Sequence, residues 1–398
     1  MTARRWPPMV TLAAAQAGGQ TGSWAALVAA LPLALHHPSP AIWLAVINGA
    51  WAGPAALGCL TGRLIDRIGP RLAGTAAWLA AAACTGGCAA TGRLPWAAAA
   101  LAAMSACRGT AVAAGDTAPT WLPGQPATAR AGSWLMIAAA VPLLAGPIGS
   151  AAILASAGPR AAWAAAAALL AAAAAGSAAV PATRPPGPPP GGPPRQPAAR
   201  FRGPLGSVLA ITAATWLSYG GIEVLQPLYV RSALHASLTF YAWTLSAFAT
   251  GGIITALIPT TARARPARSR AVPTAALAVA AGERLFTATP WPAIALAGAV
   301  LWGAAAAAFT LASRSAILTA VHPQSHGQAL SAWRSVQSAG YLSALVAGPL
   351  AAVVGLPDVL AGMCALTGVT AAGYLATAAL AAARQQGGRA GVTAEARP

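Results

Sequence analysis

The stretch "TGRLIDRIGPRLAG", residues 61–74, sets one acid, Asp66, among three arginines, Arg63, Arg67 and Arg71, in a short gap between two apolar runs. The chain has only six acidic residues in 398, so the placement asks for a reason. The surroundings define the class of protein first. Hydrophobic residues make up 57% of the sequence and charged residues 8%, with a mean hydropathy of +0.62. A soluble domain carries about 25% charged residues. Apolar runs here reach the roughly 20 residues that cross a bilayer as a helix. They do not alternate polar and apolar positions as barrel strands do, and in lipid only helices and closed barrels satisfy the backbone. The sequence therefore predicts an all-α integral membrane protein with the lipid bilayer as its solvent.

Apolar segments fall at 9–35, 41–61, 72–92, 95–118, 133–154, 160–180, 206–230, 238–259, 271–288, 292–313, 328–354 and 359–383, which predicts twelve transmembrane helices. The ninth is the weakest, being short and holding Glu283 and Arg284, which adjacency points in different directions and of which one or both are expected near an interface. Between the sixth and seventh lies "PATRPPGPPPGGPPRQPAARFRGP", a proline-rich spacer with no apolar content to bury. The expected organisation is an N-terminal six-helix bundle over 1–180, a linker over 181–204, and a C-terminal six-helix bundle with a short tail over 205–398. The halves resemble each other weakly. "PATARAGSW…AGPIGS" opens the fifth segment and "PQSHGQALSAW…AGPLAA" the eleventh, each with a tryptophan in the first turns and a Gly-Pro pair further on. A repeated six-helix unit points to a transporter with its substrate site where the halves meet.

The formal charge of +18 comes from 24 arginines and no lysine. No basic face on a polar domain accompanies it, so a nucleic-acid partner is excluded and topology explains the charge. With the N-terminus inside, the inner gaps hold Arg4, Arg5, Arg63, Arg67, Arg71, Arg130, Arg184, Arg195, Arg200, Arg202, Arg263, Arg265, Arg268, Arg270, Arg384, Arg389 and Arg397. The outer gaps hold only Arg93, Arg160 and Arg231. That asymmetry predicts a multi-pass protein of the plasma membrane with both termini cytoplasmic. The start "MTARRWPP" runs straight into an apolar segment and reads as an uncleaved first helix rather than a signal peptide. Arg108, Arg284, Arg314 and Arg334 fall within or at the edges of the spans.

The 61–74 loop lies in the predicted cytoplasmic gap between the second and third helices. There it resembles the G-x-L-x-D-R-x-G-basic-basic loop of the major facilitator superfamily, with Gly62, Leu64, Asp66, Arg67, Gly69 and Arg71 matching and Pro70 departing from the pattern. The resemblance implies that Asp66 meets the start of the eleventh helix, where the helix dipole and free N–H groups favour an anion. "CRGTAVAAGD" resembles the fourth-helix pattern with a membrane-embedded arginine, here Arg108. "AGPIGS" resembles the Gly-Pro motif common in exporters, at Gly146 and Pro147, with Ser150 in place of its second glycine. "SAWRSVQSAGY", with Arg334, resembles the start of the eleventh helix in drug-exporter branches. The second-half counterpart of the loop, "TARARPARSR", has lost its acid and glycines.

An ionisable side chain costs about 2.5–3.5 kcal/mol at the centre of a membrane helix, so each one needs an explanation. Glu223, in "YGGIEVLQP" of the seventh helix, is the leading proton or cation carrier; its alternative is a structural pairing with an arginine. Arg108 cannot lose its proton and suits an anionic substrate group, tuning of a carboxylate, or helix carbonyls. Asp116, nearer the inner end, reads as a gate or cap residue and as the second proton candidate. The five histidines sit in loops and read as solvated residues, and the five cysteines as small buried thiols, so no metal site is expected. Some of the fourteen tryptophans are expected to line a cavity, the rest to anchor the interface or pack.

No G-x-x-x-x-G-K-[ST] loop exists, so the chain carries no ATPase site of that type and an ion gradient is the remaining drive. Scattered acids argue against a membrane enzyme, and no cofactor is expected. The expectation is a monomeric secondary transporter working by alternating access, a proton-coupled drug/proton antiporter-like exporter of small organic compounds. The alternatives are a nutrient or metabolite importer of the same fold and a non-transporting sensor or scaffold.

Overall fold

The structure is a computed structural model. It describes the whole chain except residues 1–6, 36, 39, 92, 123–127, 182–203, 237, 259–269, 323–324 and 396–398. The spacer over 181–204 therefore lies almost wholly outside the described residues. The described residues form α1 (Pro7–Leu35), α2 (Pro40–Ala52), α3 (Gly58–Ile68), α4 (Pro70–Thr91), α5 (Leu94–Trp121), α6 (Thr128–Ala179), α7 (Pro204–Ser232), α8 (Leu238–Leu257), α9 (Ala271–Thr287), α10 (Pro292–Ala320), α11 (His326–Gly340), α12 (Ala344–Val354) and α13 (Leu356–Glu395).

These thirteen helices make twelve membrane passes. The second pass is split into α2 and α3 by a 3-10 turn over Gly53–Leu57, and the eleventh into α11 and α12 by another at Tyr341–Ser343. In the other direction, α6 holds two passes, broken at Gly158 (φ 81°, ψ 178°). Gly69 (φ 88°), Gly158 and Gly355 (φ 99°) reverse the chain between passes two and three, five and six, and eleven and twelve. Only glycine takes such a φ without strain. The second and third of these turns occupy equivalent places in the two halves, which extends the repeat seen in the sequence.

Buried apolar side chains gather into two large clusters, one from residues 25–174 around Trp78 and Trp163, the other from residues 205–371 around Phe286, Trp302 and Trp333. Helices this rich in Ala and Gly approach closely, and packing rather than water exclusion holds them in lipid. Large apolar residues face outward as lipid requires. Among them Trp96 and Trp291 are more than half exposed at the starts of α5 and α10, where interfacial tryptophans sit. Between the halves, α3 and α5 pack on α11, and α6 packs on α8.

Glu283 and Arg284 part as adjacent helix residues do: Arg284 is exposed, while Glu283 is fully buried in the second half, where the Ser218 hydroxyl donates to its Oε2 at 2.7 Å. One expectation is corrected. His326 is not a solvated loop residue: it opens α11, buried, with its ring Nε2 3.2 Å from the Leu318 carbonyl oxygen.

Candidate functional site

The contacts between the halves begin at the Asp66 loop. Gly69 lets the chain turn out of α3, and Pro70 starts α4 at a position whose N–H would have had no helical partner. Arg63 and Arg67 are exposed, and the Asp66 carboxylate turns away from them. Its Oδ1 accepts the Gly327 N–H at 2.9 Å and its Oδ2 the Gln328 N–H at 3.1 Å, at the first turn of α11. Those N–H groups have no intrahelical acceptor, and the helix dipole adds to the attraction. The acid among arginines is thus a side-chain cap for a helix of the other half. Burial raises the Asp66 carboxyl and the Gln328 and Gly327 N–H groups lower it, leaving it at about 6, so it is mostly ionised at neutral pH. Gly62 makes the approach possible: a Cβ there would lie 2.6 Å from the Gln328 Cα.

A second contact lies deeper. Asp116 of α5 is 3% exposed, and its Oδ2 accepts Arg334 Nε of α11 at 2.6 Å. Arg314 of α10 donates to the Asp116 backbone carbonyl and stands with its Nε 3.8 Å from Oδ1. Arg334 also donates to Gln337 Oε1 at 2.8 Å. One carboxylate of the first half therefore meets two guanidiniums of the second.

Above this cluster lies a cavity of about 190 Å³ lined by both halves. Its floor includes Arg334 and Gln337, and its wall includes Arg108. The break after α2 positions Arg108. Gly109 fits against the 3-10 turn with no side chain between, since a Cβ there would meet the Ala55 carbonyl oxygen at 2.5 Å. That brings α5 against Trp51, whose carbonyl accepts both the Ser105 hydroxyl at 2.6 Å and Arg108 Nη2 at 3.1 Å. The guanidinium lies over the Trp51 ring, 4.2 Å from its centroid, in cation–π geometry. Arg108 Nε is buried and has no hydrogen-bond partner among the described residues.

Tyr341 faces Arg108 from the second half. It sits in the 3-10 break of the eleventh pass and packs against both hydrophobic clusters. The Glu223 carboxylate lies close enough to Tyr341 and to Arg108 to interact electrostatically with both. Glu223 Oε2 has no hydrogen-bond partner among the described residues. Aromatic rings complete the wall: Trp24 lies 4.5 Å from Trp51, Trp51 6.2 Å from Tyr341, and Tyr341 5.7 Å from Trp216, centroid to centroid.

The structure thus sets Glu223 within electrostatic reach of Arg108 and joins Asp116 to Arg334 at the floor of the cavity. Gly146 lies against Trp24 Cβ, where a Cβ of its own would come within 2.7 Å, so the Gly146–Pro147 segment backs the cavity wall. Tyr341, Trp51 and Gln337 had no signal in the sequence. Their places depend on the two helix breaks, and nothing but Pro54 marks either one beforehand.

Comparison with known proteins fits this geometry. The sequence matches the Major Facilitator Superfamily over residues 10–341, and the chain belongs to that family of transporters. The fold is similar to that of the human organic anion transporter MFSD10, with 17% identity, a TM-score of 0.71, and 92% of this chain and 98% of that one covered. It is similar to the E. coli fucose:proton symporter FucP, at 13% identity and TM-score 0.66 over 93% of this chain and 99% of that one. It is also similar to the proton:xylose symporter XylE, at 14% identity and TM-score 0.64 over 91% and 94%. A comparison with curated proteins finds no match.

Proposed function

We propose that this protein is a proton-coupled secondary transporter of small organic compounds that works by alternating access, with Glu223 as the proton carrier. The observation that carries the reading is the Glu223–Tyr341–Arg108 grouping. It is an acid and a base contributed by different halves, the base at the wall of the shared cavity and the acid close by. A carboxylate held between a low-dielectric interior and a fixed cation can change protonation as the halves move and the cation's distance changes. The Asp66 and Asp116 contacts then act as two latches that close one side. By the arginine count that side is the cytoplasmic one, in a plasma-membrane protein whose bundles are joined by the 181–204 linker and which acts as a monomer.

Two couplings are available to a single carboxylate. If substrate displaces the proton, exchange results and the proton gradient drives export; the Gly146–Pro147 segment against Trp24 supports this second reading. If substrate and proton bind together, co-transport drives uptake, as the cavity's charge favours. In proteoliposomes carrying a pH gradient, Glu223→Gln is expected to keep downhill counterflow of a transported compound and to lose accumulation against its gradient. Continued pH-dependent accumulation by that variant overturns the assignment of the proton to Glu223.

A further inference from the structure

Charge at the cavity wall is one-sided. Among the described residues the lining includes two guanidiniums, Arg108 and Arg334, and no carboxylate. Arg108 Nε and Gln337 Nε2 are buried donors without hydrogen-bond partners among the described residues. Glu223 is not among the lining residues. Apart from Gln20, Thr310, Ser338 and two tyrosines, the rest of the wall is apolar, with the rings of Trp24, Trp51 and Trp216 among it. A cation entering here meets like charge; a neutral compound leaves buried donors unanswered, which costs free energy in an apolar site. An anion answers both.

We infer that the cavity takes an organic anion, a carboxylate or sulfonate on a planar apolar body, with its charged end between Arg108 and Arg334 and its body against the tryptophans, and that each anion travels with a proton. The second clause rests on Glu223 being the proton carrier; the first does not. The sign follows from linkage. Glu223 is faced by Arg108 from α5, by Tyr341 from the eleventh pass, by Tyr241 from α8 and by Tyr219 of its own helix. Arg108 is the one cation in that set. An anion on Arg108 neutralises it and adds negative potential beside Glu223, so the protonated carboxyl is favoured and proton and anion bind cooperatively. A cationic substrate would have the opposite linkage and compete with the proton. The anion also engages Arg334, which closes the floor through Asp116. Sharing that guanidinium loosens the lower latch, so occupancy itself favours opening on the Asp66 side.

The test uses the full chain in lipid nanodiscs and three probes of one shape: naphthoate, naphthamide and naphthylmethylammonium. Isothermal titration calorimetry reads affinity, and a weakly buffered pH electrode reads proton exchange. Naphthoate is expected to bind about tenfold or more tighter than the amide, with the cation weakest. Arg108→Gln is expected to erase the preference and Arg108→Lys to keep part of it. Naphthoate binding is expected to take protons from solution, and Glu223→Gln to abolish that uptake while retaining naphthoate. Absence of naphthoate binding, or equal or tighter binding of the amide or the cation, overturns the anion inference. Tight naphthoate binding with no proton uptake leaves the anion class standing and overturns both co-transport and Glu223 as carrier.

Discussion

Gly62→Ala isolates the latch between α3 and α11 without touching a charge. In the closed arrangement the new methyl would sit 2.6 Å from the Gln328 Cα and 3.1 Å from both Cβ and Oγ of Ser331. Carbon atoms in contact settle at about 3.5–4.0 Å, so the helices must part by about 1 Å. The nearest atom is backbone, which cannot swing aside as the end of a side chain can. Overpacking of this kind costs about 1–3 kcal/mol. Only the closed state bears it, because opening on this side separates α3 from α11. The ratio of open to closed should therefore rise by about 5- to 140-fold. Spin labels at Leu72 and Ala320, exposed residues on α4 and α10, report that separation in a background with the five native cysteines replaced. Double electron–electron resonance should show the short-distance population shrinking in favour of a longer one. An unchanged distance distribution in a folded, monodisperse sample would refute the reasoning, and with it the assignment of this contact as a latch.

The same spectroscopic readout tests Asp66→Asn. The amide keeps one acceptor but turns a donor toward the second N–H of α11, so closure should weaken, by no more than about tenfold because the carboxylate is partly solvated. Asp116→Asn leaves Arg314 and Arg334 without their carboxylate in a buried site, and breaking such a pair costs about 3–5 kcal/mol. Its melting temperature should fall, and Arg334→Gln added to it should lower stability by less than Arg334→Gln alone lowers the wild type; strict additivity would show that the pair is not coupled. Replacing residues 181–204 by a Gly/Ser stretch of equal length should preserve transport, and loss of transport with normal membrane insertion would reveal a function in the spacer.

The parts of this structure legible in the sequence are those fixed by local chemistry. Length and hydropathy mark the passes. The spacing Gly62–Asp66–Gly69 marks a turn with an anion poised outside it, and its docking on α11 was available only through the family resemblance, because 261 positions separate Asp66 from Gly327. Adjacency sets Glu283 and Arg284 about 100° apart on their helix, which was legible; which of the two faces the core was not. The meeting of Arg108 with Glu223 was not legible, because it depends on how one bundle is set against the other and on two 3-10 breaks that put Trp51 and Tyr341 at the same depth.

Arg334 carries this furthest, since its neighbours in sequence do not point to Asp116. The same guanidinium borders the cavity and binds Asp116 Oδ2. Two acceptors on opposite sides of one cation compete for a fixed set of N–H donors. A ligand that draws the guanidinium upward therefore weakens the hold on Asp116 without any movement of α5 itself. The Asp66 latch differs in kind, since it grips backbone N–H groups that no cavity ligand can reach. Closure at that depth is expected to respond to whole-helix displacement of α11 and not directly to substrate. The expected order of release is that ligand loosens Arg334 from Asp116 first, α11 shifts, and Asp66 lets go of Gly327 and Gln328 last. In the Asp66→Asn variant the order survives but the last step comes too easily, so the cavity should open on that side even when empty. Substrate-independent leak of a small solute through that variant, absent from the wild type, is the corresponding expectation, and a tight variant would show that the Asp116 cluster alone holds the side closed.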